Sequence, residues 1–174
     1  MPKRTELVIL LLNLIFIVSI SSGGCAQSDN KTTPDITQRS FTAADVAKLK
    51  WLEGTWKGMD GDKPFYERYR FEGDSKMIVE GLEEGTLKVT DASVYELKDG
   101  KFGHTDDKGR QSAATSITAD AVQFAPVNHN GNSYRFERQP DGTWRAVLEW
   151  PANANRAAGQ KVYKMEPYKA AESK

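Results

Sequence analysis

The sequence predicts an all-β protein, an up-and-down antiparallel barrel of about eight to ten strands with one short N-terminal helix. Two observations carry this. Short segments alternating between apolar and polar residues are separated by turn signals roughly every 8 to 12 residues, the spacing of an antiparallel sandwich or barrel. Only one segment has helical periodicity, so no crossover helix offers itself for a parallel sheet. A meander of hairpins closes its own edges as a barrel and leaves an interior lined by every second side chain.

The helix is read from TAADVAKLKWLEG. Thr42 is the N-cap, Asp45 stands in the first turn, Val46, Leu49, Trp51 and Leu52 fall on roughly one face, and Gly54 can end it. The strand opening at Gly54-Thr55-Trp56 comes next. In KPFYERYRF, Phe65, Glu67, Tyr69 and Phe71 face one way and Tyr66, Arg68 and Arg70 the other. SKMIVEGL follows the Gly73-Asp74 turn, and TLKV and ASVYELK follow Gly85. Asp99-Gly100 is a hairpin signal before KFGHT. SAATSIT and AVQFAPV come next, then Asn130-Gly131 before a strand carrying Tyr134 and Phe136. Pro140-Asp141-Gly142 leads into TWRAVLEW, and QKVYKME closes the run.

The ends carry a different message. Lys3 and Arg4, an apolar run from Leu7 to Ile20, and the small residues 21–24 have the order of a secretory signal peptide over residues 1–24. The run is short of the roughly 20 residues of a membrane-spanning helix. Cys25 is the only cysteine and cannot form an internal disulfide. Its place after Gly23-Gly24 resembles the lipobox of bacterial lipoproteins, although Ser22 stands where that family usually has leucine. The resemblance implies a lipidated Cys25 as the new N-terminus, and Ala26 after it implies the outer membrane in a host with two. Cleavage after Ala26 is the alternative. Residues 25–40 are polar and read as a flexible tether, residues 41–168 as one domain, and residues 169–174 as a polar tail. The formal charge is zero, or about −1 without residues 1–24, which argues against nucleic acid as a partner.

Helix, Trp51-Leu52-x-Gly54-x-Trp56, the Glu67-x-Tyr69 strand and the Gly73 turn with Met77 occur in that order. This set resembles the calycin-type barrels, and more closely a family of small bacterial exported proteins with an uncharacterised lipocalin-like domain. In lipocalins the tryptophan of the first strand packs across one end of the barrel, which implies that place for Trp56. Near Pro126 and His129 the spacing departs from the family, and Ala125 replaces its asparagine. The resemblance implies that His129 is a rim or pocket residue.

Glu67 is the most informative candidate. On an inward face it would place a carboxyl among aromatics, where an unpaired charge is costly. It either anchors a ligand in an apolar pocket or is neutralised by an arginine such as Arg135. The third option is that the strand faces the other way, with Arg68 and Arg70 inside. Tyr95 and Tyr134 could bring hydroxyls inside, each needing a hydrogen-bond partner. Trp144, Leu148 and Trp150 alternate along one strand as core or pocket wall. His104 and His129 are too few for a zinc site, although one histidine suffices for haem iron, as in the nitrobindins that this architecture resembles. Ser93, Ser112, Ser116 and Ser133 lie in no nucleophile-elbow context, and Asp106-Asp107 reads as a solvated turn. No cofactor or catalytic residue is expected. The expectation is a lipid-anchored envelope protein that holds a small, partly apolar molecule. Its ligand contacts would be Glu67, Tyr69, Tyr95, His129 and Tyr134, with Trp56 and Trp144 as walls. A ligand-free interaction module of the envelope is the alternative, and a catalyst or haem carrier comes third.

Overall fold

A computed structural model describes residues 40–169. The predicted signal peptide, Cys25, the tether to residue 39 and the tail from residue 170 lie outside the described residues.

The chain enters through α1 (Ala43–Ala47), which continues as a 3-10 segment, Lys48–Leu52. Thr42 caps it reciprocally: its hydroxyl accepts from the Asp45 backbone N–H, and the Asp45 carboxyl accepts from the Thr42 backbone N–H. Gly54 does not end the helix. Glu53 does so, and Gly54, at φ +132°, is already the first residue of a strand.

Ten strands follow: β1 (Gly54–Asp60), β2 (Lys63–Glu72), β3 (Lys76–Leu82), β4 (Val89–Lys98), β5 (Lys101–Thr105), β6 (Gln111–Ile117), β7 (Ala121–Pro126), β8 (Ser133–Arg138), β9 (Trp144–Trp150) and β10 (Gly159–Pro167). Each pairs antiparallel with its neighbours in sequence, and β10 returns to β1, so the sheet is a closed up-and-down barrel. The expected fold class is the observed one. A second boundary differs from expectation. TLKV is no strand of its own, because Val89 begins the ten-residue β4 that also contains ASVYELK.

Register decides which side chains face inward. Trp56 stands opposite Glu67, Glu67 opposite Gly81, and Gly81 opposite Asp91. Tyr95 stands opposite His104 and His104 opposite Ser112, while Phe124 pairs with Tyr134 and Tyr134 with Leu148. Directly opposed residues share a face, so each of these rows lines the interior. The alternation expected for β2 therefore holds, with Phe65, Glu67 and Tyr69 buried inside.

The two ends of the barrel differ. At one, the strands join through 73–75, 99–100, 118–120 and 139–143, and the helical segment lies across them. Phe41 donates its backbone N–H to the Gly100 carbonyl, Lys50 pairs with Asp74 at 2.8 Å, and the Trp56 indole donates to the Leu52 carbonyl at 2.7 Å. Inward residues at this end, among them Met77, Phe102, Val122, Trp144 and Met165, are fully buried. This is the closed end, with Trp56 packed across it. At the other end the connections include 83–88, 106–110, 127–132 and 151–158. Inward-facing Asp91, Ser93, Pro126, Trp150 and Lys161 are only half-buried there. That end is the mouth, and it carries most of the longer loops, where binding residues concentrate.

Candidate functional site

Between the closed end and the mouth the interior changes character. Toward the helix it is an aromatic plug. Trp144 meets Trp51, Trp56, Tyr69 and Phe136 with ring centroids 5.0 to 6.4 Å apart. Phe124 continues the contact to Tyr95 at 5.1 Å and stacks on Tyr134 at 4.9 Å. Steeply tilted and edge-on rings of this kind add stabilisation beyond the area they bury.

Above the plug lies a polar shelf. The Tyr69 hydroxyl donates to Glu67 Oε2 at 2.8 Å, and the Tyr95 and Tyr134 hydroxyls stand 3.0 Å apart. All four residues are at least 95% buried, with Glu67 and Tyr134 each 5% exposed. Four of the seven residues expected to contact a ligand are thus brought to one place. Loss of solvent pushes the Glu67 carboxyl up to about 7. The Tyr69 hydrogen bond opposes that rise and the charge of Asp91 adds to it. Burial also holds the Tyr69, Tyr95 and Tyr134 hydroxyls well above the ordinary phenol range. All three remain neutral donors and acceptors at physiological pH.

The arginine alternatives for Glu67 are not realised. Arg68 and Arg70 lie on the outer face, where both bind Glu80, with Arg68 Nε 2.6 Å and Arg70 Nη2 2.8 Å from its oxygens. Arg135 pairs with Glu137 and Glu149. Among the described residues Glu67 makes no ion pair. It is a carboxyl held by a phenol in an otherwise largely aromatic surrounding.

The remaining expected residues lie elsewhere. Trp56 and Trp144 belong to the plug, on the closed side of the shelf. His129 lies in the 127–132 loop at the mouth, with its imidazole against Gly131, where a Cβ would come 2.7 Å from Nε2. Its neighbour Asn128 ties that loop to the β5–β6 connection through the Gly109 carbonyl and the Gln111 N–H. His129 is therefore a rim residue, away from the tyrosines.

The fold adds residues that the sequence did not single out as ligand contacts. Asp91 and Ser93 precede Tyr95 at a period of two and share its inward face. Ser112 is buried beside the tyrosine pair and helps to hold the Tyr134 hydroxyl. His104 is 9% exposed, its ring centroid lies 5.3 Å from that of Tyr95, and its Nδ1 is buried with no hydrogen-bond partner among the described residues. Burial holds the imidazole below its ordinary pKa, so it is neutral at pH 7. At the mouth Lys161 is paired with Asp60, and the Arg156 guanidinium stacks over Trp150 at 4.6 Å. No three histidine, cysteine or acidic side chains among the described residues stand together as a metal-binding group.

No family model matches the chain, and no curated protein is similar enough to it to count as a match.

Proposed function

We propose that the chain is a lipid-anchored protein of the bacterial envelope whose barrel receives a small, partly apolar ligand through the mouth and holds it against the polar shelf. The observation that carries the reading is the Glu67 carboxyl, buried with Tyr69, Tyr95 and Tyr134 and lacking an ion-pair partner among the described residues. A barrel filled only for stability has no use for such a group, because burying it costs more than an apolar residue of the same size. Convergent polar groups in an apolar recess are how small-molecule sites fix orientation. The resemblance to lipocalin-like exported proteins and the signal-like residues 1–24 with Cys25 support the envelope part.

A second reading, a ligand-free interaction module, draws on the aromatic plug, whose rings run in continuous contact from Trp51 to Tyr95. Native mass spectrometry of the protein purified from its host separates the two. The ligand reading expects a second mass that leaves on denaturation. Its absence, with no shift of a lipophilic dye, favours the module. Membrane attachment has its own test: Cys25→Ser is expected to move the protein from the membrane to the soluble fraction, and continued retention contradicts the anchor.

A further inference from the structure

The shelf has a sidedness of charge that narrows the ligand class. Glu67, Gly81 and Asp91 form one row across β2, β3 and β4 on the inward face. Neighbouring strands are about 4.8 Å apart, so the two acidic residues have backbones about 10 Å apart with no side chain between them. Neither carboxyl is in an ion pair with any described residue. Three cations on the mouth side are engaged, Lys161 by Asp60, Arg110 by Asp106 and Arg156 by the Trp150 ring, and Lys63 stands exposed at the β1–β2 turn. Beside Glu67 the neutral groups that can accept hydrogen bonds are the hydroxyls of Tyr95 and Tyr134.

We propose that the gap over Gly81 seats the protonated amine of a small, otherwise apolar amine, with Glu67 and Asp91 as its counter-charges and the aromatic plug beneath its apolar part. This rests on the ligand-holding reading and names the ligand's chemistry. A carboxylate in the same place would face two acidic side chains. An alcohol would make the hydrogen bonds without the charge attraction. Charged partners in a desolvated site discriminate far more strongly than neutral ones.

Proton release accompanies amine binding. The Glu67 carboxyl is pushed up to about 7 by burial, and a cation beside it favours the ionised form, so its proton leaves to solvent when the amine docks. The groups that bear on Glu67 act in known directions. Tyr69 on its own strand donates to it, Asp91 on β4 opposes its ionisation, and Tyr95 and Tyr134 stay neutral. β3 offers only Gly81 and Val79, and β1 faces it with Trp56. Farther off, burial lowers the His104 pKa, and the Asp60–Lys161 and Asp106–Arg110 pairs are self-compensating.

Calorimetric titration of the full chain carrying Cys25→Ser, which leaves no acyl chain to compete, tests this with 1-octylamine, 1-octanol and octanoate. Octylamine is expected to bind at least about tenfold more tightly than either other probe. It stays cationic throughout, so its affinity is expected to rise about tenfold from pH 6 to pH 8 as Glu67 ionises. Glu67→Gln is expected to abolish both the preference and the pH dependence, and Asp91→Asn, at a half-buried position, to weaken amine binding several-fold. Equal or tighter binding of octanol or octanoate overturns the amine inference and leaves the ligand-holding reading in place. Failure of all three probes to bind a protein shown folded by circular dichroism overturns both.

Discussion

Replacing Glu67 by glutamine is expected to stabilise the folded protein at pH 8 and to leave it nearly unchanged at pH 4. The folded carboxyl titrates near 7 against an ordinary value of 4.5. Between those values the folded state binds more protons than the unfolded state, so this group's contribution declines as pH rises from about 4.5 to about 7, and is flat beyond. A difference of that size corresponds to on the order of 3 kcal/mol at pH 8. The amide of the variant keeps an oxygen for the Tyr69 hydroxyl and carries no charge to desolvate. Other carboxyls move stability the opposite way: Glu80 and Glu137 are held low by arginines, so their contribution is lost as pH falls. Subtracting the variant's pH profile from that of the parent isolates Glu67. Urea unfolding across pH 4 to 8 checks it, and parallel profiles would show that the carboxyl is not buried. A residue that destabilises its own fold at neutral pH is the pattern of a binding or catalytic group rather than a packing group.

Trp144→Ala is expected to be the most damaging single truncation in the core, costing about 3 to 5 kcal/mol. Trp144 is fully buried and is the ring on which Trp51, Trp56, Tyr69 and Phe136 converge, so its removal takes the helical segment's support from the barrel. Trp144→Phe is expected to cost far less, about 1 kcal/mol, because two effects oppose each other. The smaller ring leaves a void, but the indole Nε1, which is buried without a hydrogen-bond partner among the described residues, goes with it. Thermal or denaturant unfolding of the pair checks the ordering. Equal losses would mean that the N–H is satisfied, and two negligible losses would mean that the plug does not hold the barrel shut.

These arguments rest on positions that were unequally legible in the sequence. The alternation of KPFYERYRF separated Glu67 and Tyr69 from Arg68 and Arg70, and the meander of turns implied closure. Which face was inside could not be read there, because both faces bear large side chains. Tyr66 is buried on the outside against Tyr168, and Glu80 is buried on the outside under two arginines. Asp91 was hidden by the division of β4 into TLKV and ASVYELK, between which it falls, and Ser93 was weighed only as a nucleophile. Their inward position depends on pairing with β3, where the register shifts between Gly81 and Leu82. The two histidines are equivalent as letters. Only the fold sends one to a rim loop and the other into the wall beside Tyr95. A buried nitrogen without a partner is a property of three-dimensional packing, and no local pattern encodes it.

The titration of the Glu67 carboxyl carbon, followed by NMR in the ligand-free protein, tests the buried polar shelf most directly. A midpoint near 7 is the result expected from the buried carboxyl, and its fall when octylamine is added is the result the amine proposal predicts. A midpoint near that of an ordinary glutamate, unmoved by the amine, would place Glu67 in solvent and contradict it.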